Sequence, residues 1–351
     1  MLLYIHIPFC ETKCHYCAFN SYVDKFDIAE HYFRAMEKQL EFELKRFNVQ
    51  KNSISSVFIG GGTPSSVDAK LYKNIFRQIE PFLVEDAEIT TEANPNSTTK
   101  QWIEKMMELG VNRISFGVQS FNNDKLLFLG RTHDAIKAQD VISFAHQVGI
   151  KNISLDLLYG LVLDTPSLLE KDLDIAFSLP INHLSAYALT IEKNTPFAKR
   201  KKIVNSTLEL AQIVVDGVQK RGFYQYEISN FGTYKSRHNL GYWQYKNYIG
   251  IGSGAVGFLD NKRFYPSKNP NKYIENPLQI KTEQLTLQDQ HIEKIFLGLR
   301  SEVGIKKEML TQEEQQKVAL LIDEKKLTCK DKTLFNNNYF LSDEIVLFIT
   351  N

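Results

Sequence analysis

The sequence predicts an α/β fold built on a parallel sheet, followed by a small, mostly helical C-terminal unit. Three observations carry this. Short β-branched or aromatic-rich runs alternate with amphipathic helical patterns over most of the chain, and such alternation requires crossover connections and therefore parallel strands. Helical patterns stop at a glycine just before the next strand run, as in Leu109-Gly110-Val111 and Val148-Gly149-Ile150, where the left-handed cap that glycine adopts cheaply ends a helix. Beyond Pro277 the composition turns charged and helical.

Taken in order, the strand runs are Leu2 to Ile7, Ser55 to Ile59, Ala87 to Glu92, Asn112 to Val118, Asn152 to Leu157 and His183 to Leu189. Between them, apolar residues at three and four spacing predict helices at about Ile28 to Phe47, Ala69 to Phe82, Thr98 to Leu109, Asp134 to Val148 and Ser167 to Ser178. A further helix, Ser206 to Lys220, leads into an aromatic, glycine-rich stretch from Tyr224 to Gly257 with no clear periodicity. Helices follow at Leu287 to Leu299 and Gln312 to Lys325. The chain closes with Lys326 to Thr328, an Asn-rich turn at Asn336 to Asn338, and Glu344 to Ile349, a terminal hairpin on the scale of a winged helix. The expected division is 1–222, a connecting region 223–280, and a small domain 281–351.

Composition narrows the function classes. With 351 residues, 43% hydrophobic and 24% charged, the chain reads as ordinary globular protein of about two domains. The balance of 42 basic and 41 acidic residues leaves a formal charge of +1, which argues against a polyanion binder, so no nucleic-acid partner is expected. The run Lys199, Arg200, Lys201, Lys202 reads as a solvated loop. No apolar run approaches the roughly 18 residues of a membrane helix, and the apolar start is broken by His6, Pro8 and Cys10, so neither signal peptide nor anchor is expected. Four cysteines are too few to staple such a chain, which points to a reducing, cytoplasmic setting.

Three of those cysteines, Cys10, Cys14 and Cys17, stand in a C-x3-C-x2-C loop directly after the first strand. Zinc needs four ligands, and the fourth could be His15, although neighbouring ligands in one tight loop close a tetrahedron awkwardly. A bacterial ferredoxin run would need further cysteines at short spacing. Three thiolates suit a [4Fe-4S] cluster with one iron left for a small chelating ligand. Cys329, remote from these, reads as structural.

The loop Gly60-Gly61-Gly62-Thr63-Pro64 follows the second strand, where bare backbone lets a ligand come close and amide or carbonyl groups can meet the charged end of an amino acid. Glu92, Gln119, Arg131 and Asp156 lie at or beyond the ends of later strands, on the rim where parallel barrels place chemistry. A carboxylate there can accept from hydroxyls or an ammonium, and an arginine can neutralise a carboxylate. Each could equally be a helix cap or a surface ion pair; their recurrence on one rim favours a site.

The triplet, with Tyr16 in its aromatic position, resembles the signature of the radical S-adenosylmethionine (radical SAM) superfamily. That resemblance implies a partial (β/α)6 barrel and a cluster whose free iron is chelated by SAM, which an electron from the cluster cleaves to a 5′-deoxyadenosyl radical. Within the superfamily, Tyr4 to Cys10, Glu92-Ala93-Asn94-Pro95, Arg113 to Phe121, Leu129-Gly130-Arg131 and Asp156 to Leu161 resemble oxygen-independent coproporphyrinogen III oxidase and its relatives. The likeness puts Tyr4, Tyr16, Gly61, Gly62, Thr63, Glu92, Gln119, Arg131 and Asp156 on SAM-binding positions. One departure is Val162-Leu163-Asp164 where the family has Pro-Gly-Gln.

Another departure is Ala18-Phe19, where the oxidases carry a fourth cysteine, and the chain starts without their N-terminal extension. The stretch Arg237 to Trp243 is instead similar to the H-N-x-x-Y-W motif of the HemW-type haem chaperones. By that likeness His238, Asn239, Tyr242 and Trp243 are expected to contact haem, the partners are haem-accepting proteins, and no oxidase activity is expected. Chemically, His238 offers an imidazole and Tyr242 and Trp243 flat faces. Gly250 to Ala255 lacks the Lys-Ser/Thr of a phosphate loop and reads as a close-packed turn. The sequence leaves open a homodimer and a transient membrane association.

Overall fold

A computed structural model describes residues 1–200, 202–205 and 207–351. Lys201 of the basic run and Ser206, where a helix was expected to start, lie outside the described residues. The main sheet has twelve strands: β1 (Leu2–Ile7), β2 (Ile54–Gly61), β3 (Leu83–Ala93), β4 (Arg113–Gln119), β5 (Asn152–Tyr159), β6 (His183–Ala188), β7 (Tyr224–Gln225), β8 (Asn230–Gly232), β9 (Tyr248–Ile251), β10 (Gly257–Leu259), β11 (Lys262–Pro266) and β12 (Ile280–Gln284). Its order is β12-β11-β10-β9-β1-β2-β3-β4-β5-β6-β8-β7.

Strands β1 to β6 pair in parallel and in sequence order, as the alternating pattern predicts. Helices α1 (Ala29–Arg46), α2 (Lys73–Ile79), α3 (Lys100–Glu108), α4 (Asn123–Phe128), α5 (Ala135–Val148), α6 (Pro166–Ser178) and α7 (Leu208–Lys220) carry the crossovers. The short α4 has no counterpart in the sequence reading, because six residues are too few for helical periodicity to show. Thr99, Asn122, Asp134, Thr165 and Thr207 each cap a helix by accepting a backbone N–H, which satisfies one of the donors left open at a helix start. Gly149 ends α5 in the left-handed conformation, φ +111°.

The aromatic stretch without periodicity turns out to extend this sheet at both edges. β8 and β7 add antiparallel beyond β6, while β9 adds parallel to β1 and carries β10, β11 and β12 behind it. Between the two groups lies a two-turn helix, α8 (Arg237–Trp243), capped by Ser236. Strands of two to five residues, drawn from distant pairings, leave no run long enough to read. The sheet stays open, and β12 runs past residue 280, so the small unit begins at helix Leu287–Gly298.

That unit has its own apolar core, including Ile295, Val318, Leu334, Ile345 and Ile349. Its hairpin pairs Leu327–Lys330 with Thr333–Asn336, turning at Asp331 and Lys332, both at positive φ. This corrects the expected Asn-rich turn: Asn336 is buried and donates to Leu299 O, and Asn338 caps a 3-10 turn. It also corrects the closing strand, since Ser342–Thr350 is a helix burying Ile345, Val346 and Ile349. A short apolar run suits either state, and here one-sided packing on the core decides.

Candidate functional site: a cysteine cavity beside an aromatic groove

A cavity of about 340 Å³ opens at the carboxyl ends of β1 to β5. The structure brings Cys10, Cys14, Cys17, Tyr16, Gly61, Gly62, Thr63, Glu92, Gln119, Arg131 and Asp156 together on its walls. Residues at or near the carboxyl ends of successive parallel strands necessarily share one rim, which is why scattered positions converge.

The cysteine loop is held from several sides. His15 N–H donates to Leu129 O at 2.9 Å, and His15 Nδ1 donates to Phe128 O at 2.8 Å. The imidazole offered above as a fourth zinc ligand is therefore turned towards the Phe128–Gly130 backbone. Lys13 Nζ donates to Phe19 O and Ser21 O at 3.0 and 3.1 Å, closing the loop on itself. Arg131 Nη1 donates to Cys14 Sγ at 3.2 Å and its Nη2 to Gly117 O at 2.5 Å, while Nε is buried without a partner. Burial pushes the Cys10 and Cys17 thiols up; such thiols give up their protons to a metal rather than to water. Among the described residues, no three His, Cys, Asp or Glu side chains converge on a point that could hold a single metal ion. Three separated thiols around one cavity, with a guanidinium against one of them, fit a polynuclear anionic cluster better than a single ion.

The glycine loop works by absence of side chains. A Cβ on Gly62 would lie 2.8 Å from Ile7 O and Phe9 O, and Gly61 sits at φ +114° with a Cβ clashing on His6. Its amides are spent: Gly61 N–H donates to Glu92 Oε2 at 3.0 Å, Gly62 N–H to Ile7 O at 2.7 Å and Thr63 N–H to Phe9 O at 2.8 Å. The loop thus offers a ligand bare backbone and acceptors rather than the amide donors also expected, a surface suited to an ammonium. Acidic groups continue it. Burial and the neighbouring Asp156 raise Glu92 to about 7, and burial raises Asp156 to about 6 despite bonds from Ser185 and Ser115. Arg113, buried beneath them, lowers both and offsets part of that cost. Gln119 ends β4 at φ +73°, a backbone state that residues with a Cβ avoid.

Tyr4 falls elsewhere. Three residues short of the end of β1, its phenol meets His6 Nδ1 at 2.9 Å and lines a second concavity of about 770 Å³. Asn239 and Tyr242 line this groove with Phe58, Tyr245, Tyr248 and Phe258, whereas Trp243 stands off it. His238 forms part of its floor, 1% exposed, with Nδ1 at 2.9 Å from Ser56 Oγ and Nε2 at 3.0 Å from Tyr242 OH. Burial, then Arg113, lowers its pKa to about 3, so the ring is neutral and holds Tyr242 in place. Lys246, Arg263 and Lys268 also line the groove.

Sequence reasoning missed the group that builds this floor. Glu88, fully buried on β3, accepts from Tyr234 OH at 2.7 Å, Arg237 N–H at 2.8 Å and His238 N–H at 3.0 Å. A carboxylate at a helix start complements both the open amides and the dipole. The face of β3 that holds Glu88 also carries Asp86, Thr90 and Glu92, so alternation along the strand could not single it out. Also missed was Lys125 on α4, fully buried and 2.7 Å from Asp164 and 3.7 Å from Asp172. Asp172 accepts from Ser120 Oγ and Phe121 N–H, fixing the turn after Gln119. The departure at Val162-Leu163-Asp164 thus supplies a buried counter-charge.

Residues 4–175 match the family model for the radical SAM superfamily. The chain is 35% identical to the heme chaperone HemW of Bacillus subtilis over 88% of this chain and 86% of that protein. It is 40% identical to the heme chaperone HemW of Haemophilus influenzae over 78% and 75%. Among solved structures, coproporphyrinogen III oxidase (HemN) from Escherichia coli superposes over 100% of this chain and 90% of that one, with a TM-score of 0.82 at 19% identity, a likeness of fold. With 35% identity over 88% of its length, the chain belongs to the HemW family of the radical SAM superfamily.

Proposed function

We propose that this protein is a haem chaperone that binds haem in the aromatic groove and delivers it to haem proteins, respiratory ones included. The observation that carries the reading is the groove itself: about 770 Å³ walled by tyrosines and phenylalanines beside the cysteine cavity, in a chain sharing 35–40% identity with HemW proteins. Flat aromatic faces match a porphyrin, and the exposed Lys246 and Lys268 can pair with its propionates. His238 acts as scaffold, since ligating iron through either ring nitrogen would break the hydrogen bond that nitrogen makes inside the floor.

In this reading Cys10, Cys14 and Cys17 hold a [4Fe-4S] cluster, which supplies one-electron reduction chemistry when bound. Arg131 neutralises thiolate charge at Cys14. Glu92, Asp156 and the glycine loop receive the ammonium end of SAM, and Gln119 and Tyr16 close the cavity around it. A cytoplasmic location suits the free thiols; among the described residues no helix is long and apolar enough to cross a membrane.

The test is an anaerobic reconstitution followed by titration with ferric protoporphyrin IX and a parallel coproporphyrinogen III decarboxylation assay. Stoichiometric haem uptake, weakened at least tenfold in Tyr242→Ala, with no decarboxylated product, is the expected result. Product above a Cys14→Ser control would replace the chaperone with an oxidase.

A further inference from the structure

The cysteine loop and the aromatic groove share walls. Gly61, Glu92, Ala18 and Phe19 line both concavities, so the limb leaving Cys17 is one side of the groove. Between the two-residue strands Phe9–Cys10 and Tyr22–Val23 the chain forms neither helix nor strand, and Glu11, Thr12, Lys13, Ala18 and Phe19 are exposed. A segment of this kind keeps its shape through side-chain bonds and through whatever its cysteines hold.

One residue ties that limb to the far wall. Asn20 Nδ2 donates to Ser253 O at 2.9 Å and to Lys268 O at 3.0 Å, reaching 233 and 248 residues along the chain. Its Oδ1 accepts from Tyr22 OH at 3.2 Å, and its backbone O accepts from His6 Nε2 at 2.8 Å. Gly254 gives the amide room: at φ +78°, a Cβ there would lie 2.9 Å from Asn20 Nδ2. On the other side, Lys13 fastens Phe19 and Ser21, the residues flanking Asn20, to the stretch between Cys10 and Cys14. The connection runs unbroken from the thiols to the groove rim.

We propose that Asn20 is a positioning residue that couples the two sites, so that fixing the three cysteines on a cluster preorganises the groove and tightens its hold on a flat ligand. A group bound at Cys10, Cys14 and Cys17 removes freedom from the limb, and a ligand that no longer has to order its own binding wall binds more strongly. By linkage the converse holds: a filled groove tightens the binding of the cluster by the same factor. The identity of the ligand rests on the haem reading above; the mechanical coupling does not.

The experiment measures amide hydrogen exchange at residues 252–257 and 267–269 in full-length wild type and Asn20→Ala, each with and without reconstituted cluster, alongside ferric protoporphyrin IX titrations of the same four samples. In wild type, the cluster slows exchange at the rim and lowers the haem dissociation constant by about fivefold or more, the lower end of ordinary coupling. In Asn20→Ala both responses vanish while iron and sulfide content stay at wild-type levels. Gly254→Ala, which crowds the same amide from the groove side, reproduces the loss without altering the loop's sequence. Rim exchange indifferent to the cluster in wild type, or a response retained in Asn20→Ala, overturns the coupling. Haem uptake unaffected by Tyr242→Ala would instead sink the haem reading, leaving rim exchange to decide the coupling by itself.

Discussion

The cysteine cavity and the aromatic groove lie side by side and are built on opposite principles. The cavity draws its polar groups from consecutive strand ends, with buried carboxyls, a guanidinium against sulfur and a left-handed glutamine. The groove draws hydrogen-bonded phenols and bare rings from β1, β2, α8 and β9 to β11. Charge held at a cost prepares a place to bind and activate a small ion pair, since preorganised polar groups act only where reorganisation has been prevented. Wide apolar faces with few fixed charges suit cargo that must also leave, since burial is non-directional and imposes little geometry.

The largest break in this comparison is Cys14→Ser. Iron and sulfide incorporation should fall to background after reconstitution, while haem still binds with only the modest weakening the coupling implies. Loss of haem uptake altogether would mean the groove does not exist without the cluster.

Next comes Lys125→Met, which strands Asp164 and Asp172 without their buried counter-charge. Breaking a buried pair costs about 3–5 kcal/mol, measurable by denaturant unfolding, and SAM binding should suffer with it because α4 leads into Arg131. Pairing it with Asp164→Leu should restore most of the stability, and failure to do so would show that charge there does more than balance charge.

Glu88→Ala should cost about 1–3 kcal/mol for the donors left unpaired at the start of α8. Haem affinity should drop and SAM affinity should not, a split that calorimetric titration resolves. Equal losses would show that the two sites are less separate than their construction suggests.

The smallest effect is a pH dependence. Glu92 and Asp156 are raised from 4.5 to about 7 and from 3.8 to about 6, burial being the first cause. Their contribution to ligand-free stability is therefore full below pH 3.8–4.5 and lost as pH rises through about 6 and 7. A ligand bearing an ammonium should show the reverse trend, binding more tightly as the carboxyls ionise. Glu92→Gln should flatten both curves between pH 5 and 8, read by thermal midpoint and by SAM titration; unchanged slopes would place the titrating group elsewhere.

The same contrast explains what the sequence could tell. Cavity residues sit at or near the carboxyl ends of strands whose apolar runs are plain, so Glu92, Gln119 and Asp156 could be picked out by position. Short strands hid the groove: Tyr248–Ile251 or Gly257–Leu259 carry no period. Glu88 and Lys125 were illegible for a different reason, because a charged residue looks solvent-exposed until its partners from remote segments are known. Tyr4 was placed by resemblance, and alternation along β1 points residues 4 and 6 the same way, consistent with the contact of its phenol with His6.

Gln119 bears on how this protein could be made hardier. Its left-handed backbone interrupts the pairing of β4 with β5 between Phe116 and Gln119, and holding a side-chain-bearing residue there costs on the order of 1–2 kcal/mol. Glycine would relieve that strain, so a search for heat-resistant variants would find position 119 early and delete the amide that faces the cavity. Thermal tolerance and ligand grip therefore compete at a single peptide unit, and a stabilised version is better sought in the C-terminal helices, where exposed Leu320 and Leu347 lie far in sequence from either site.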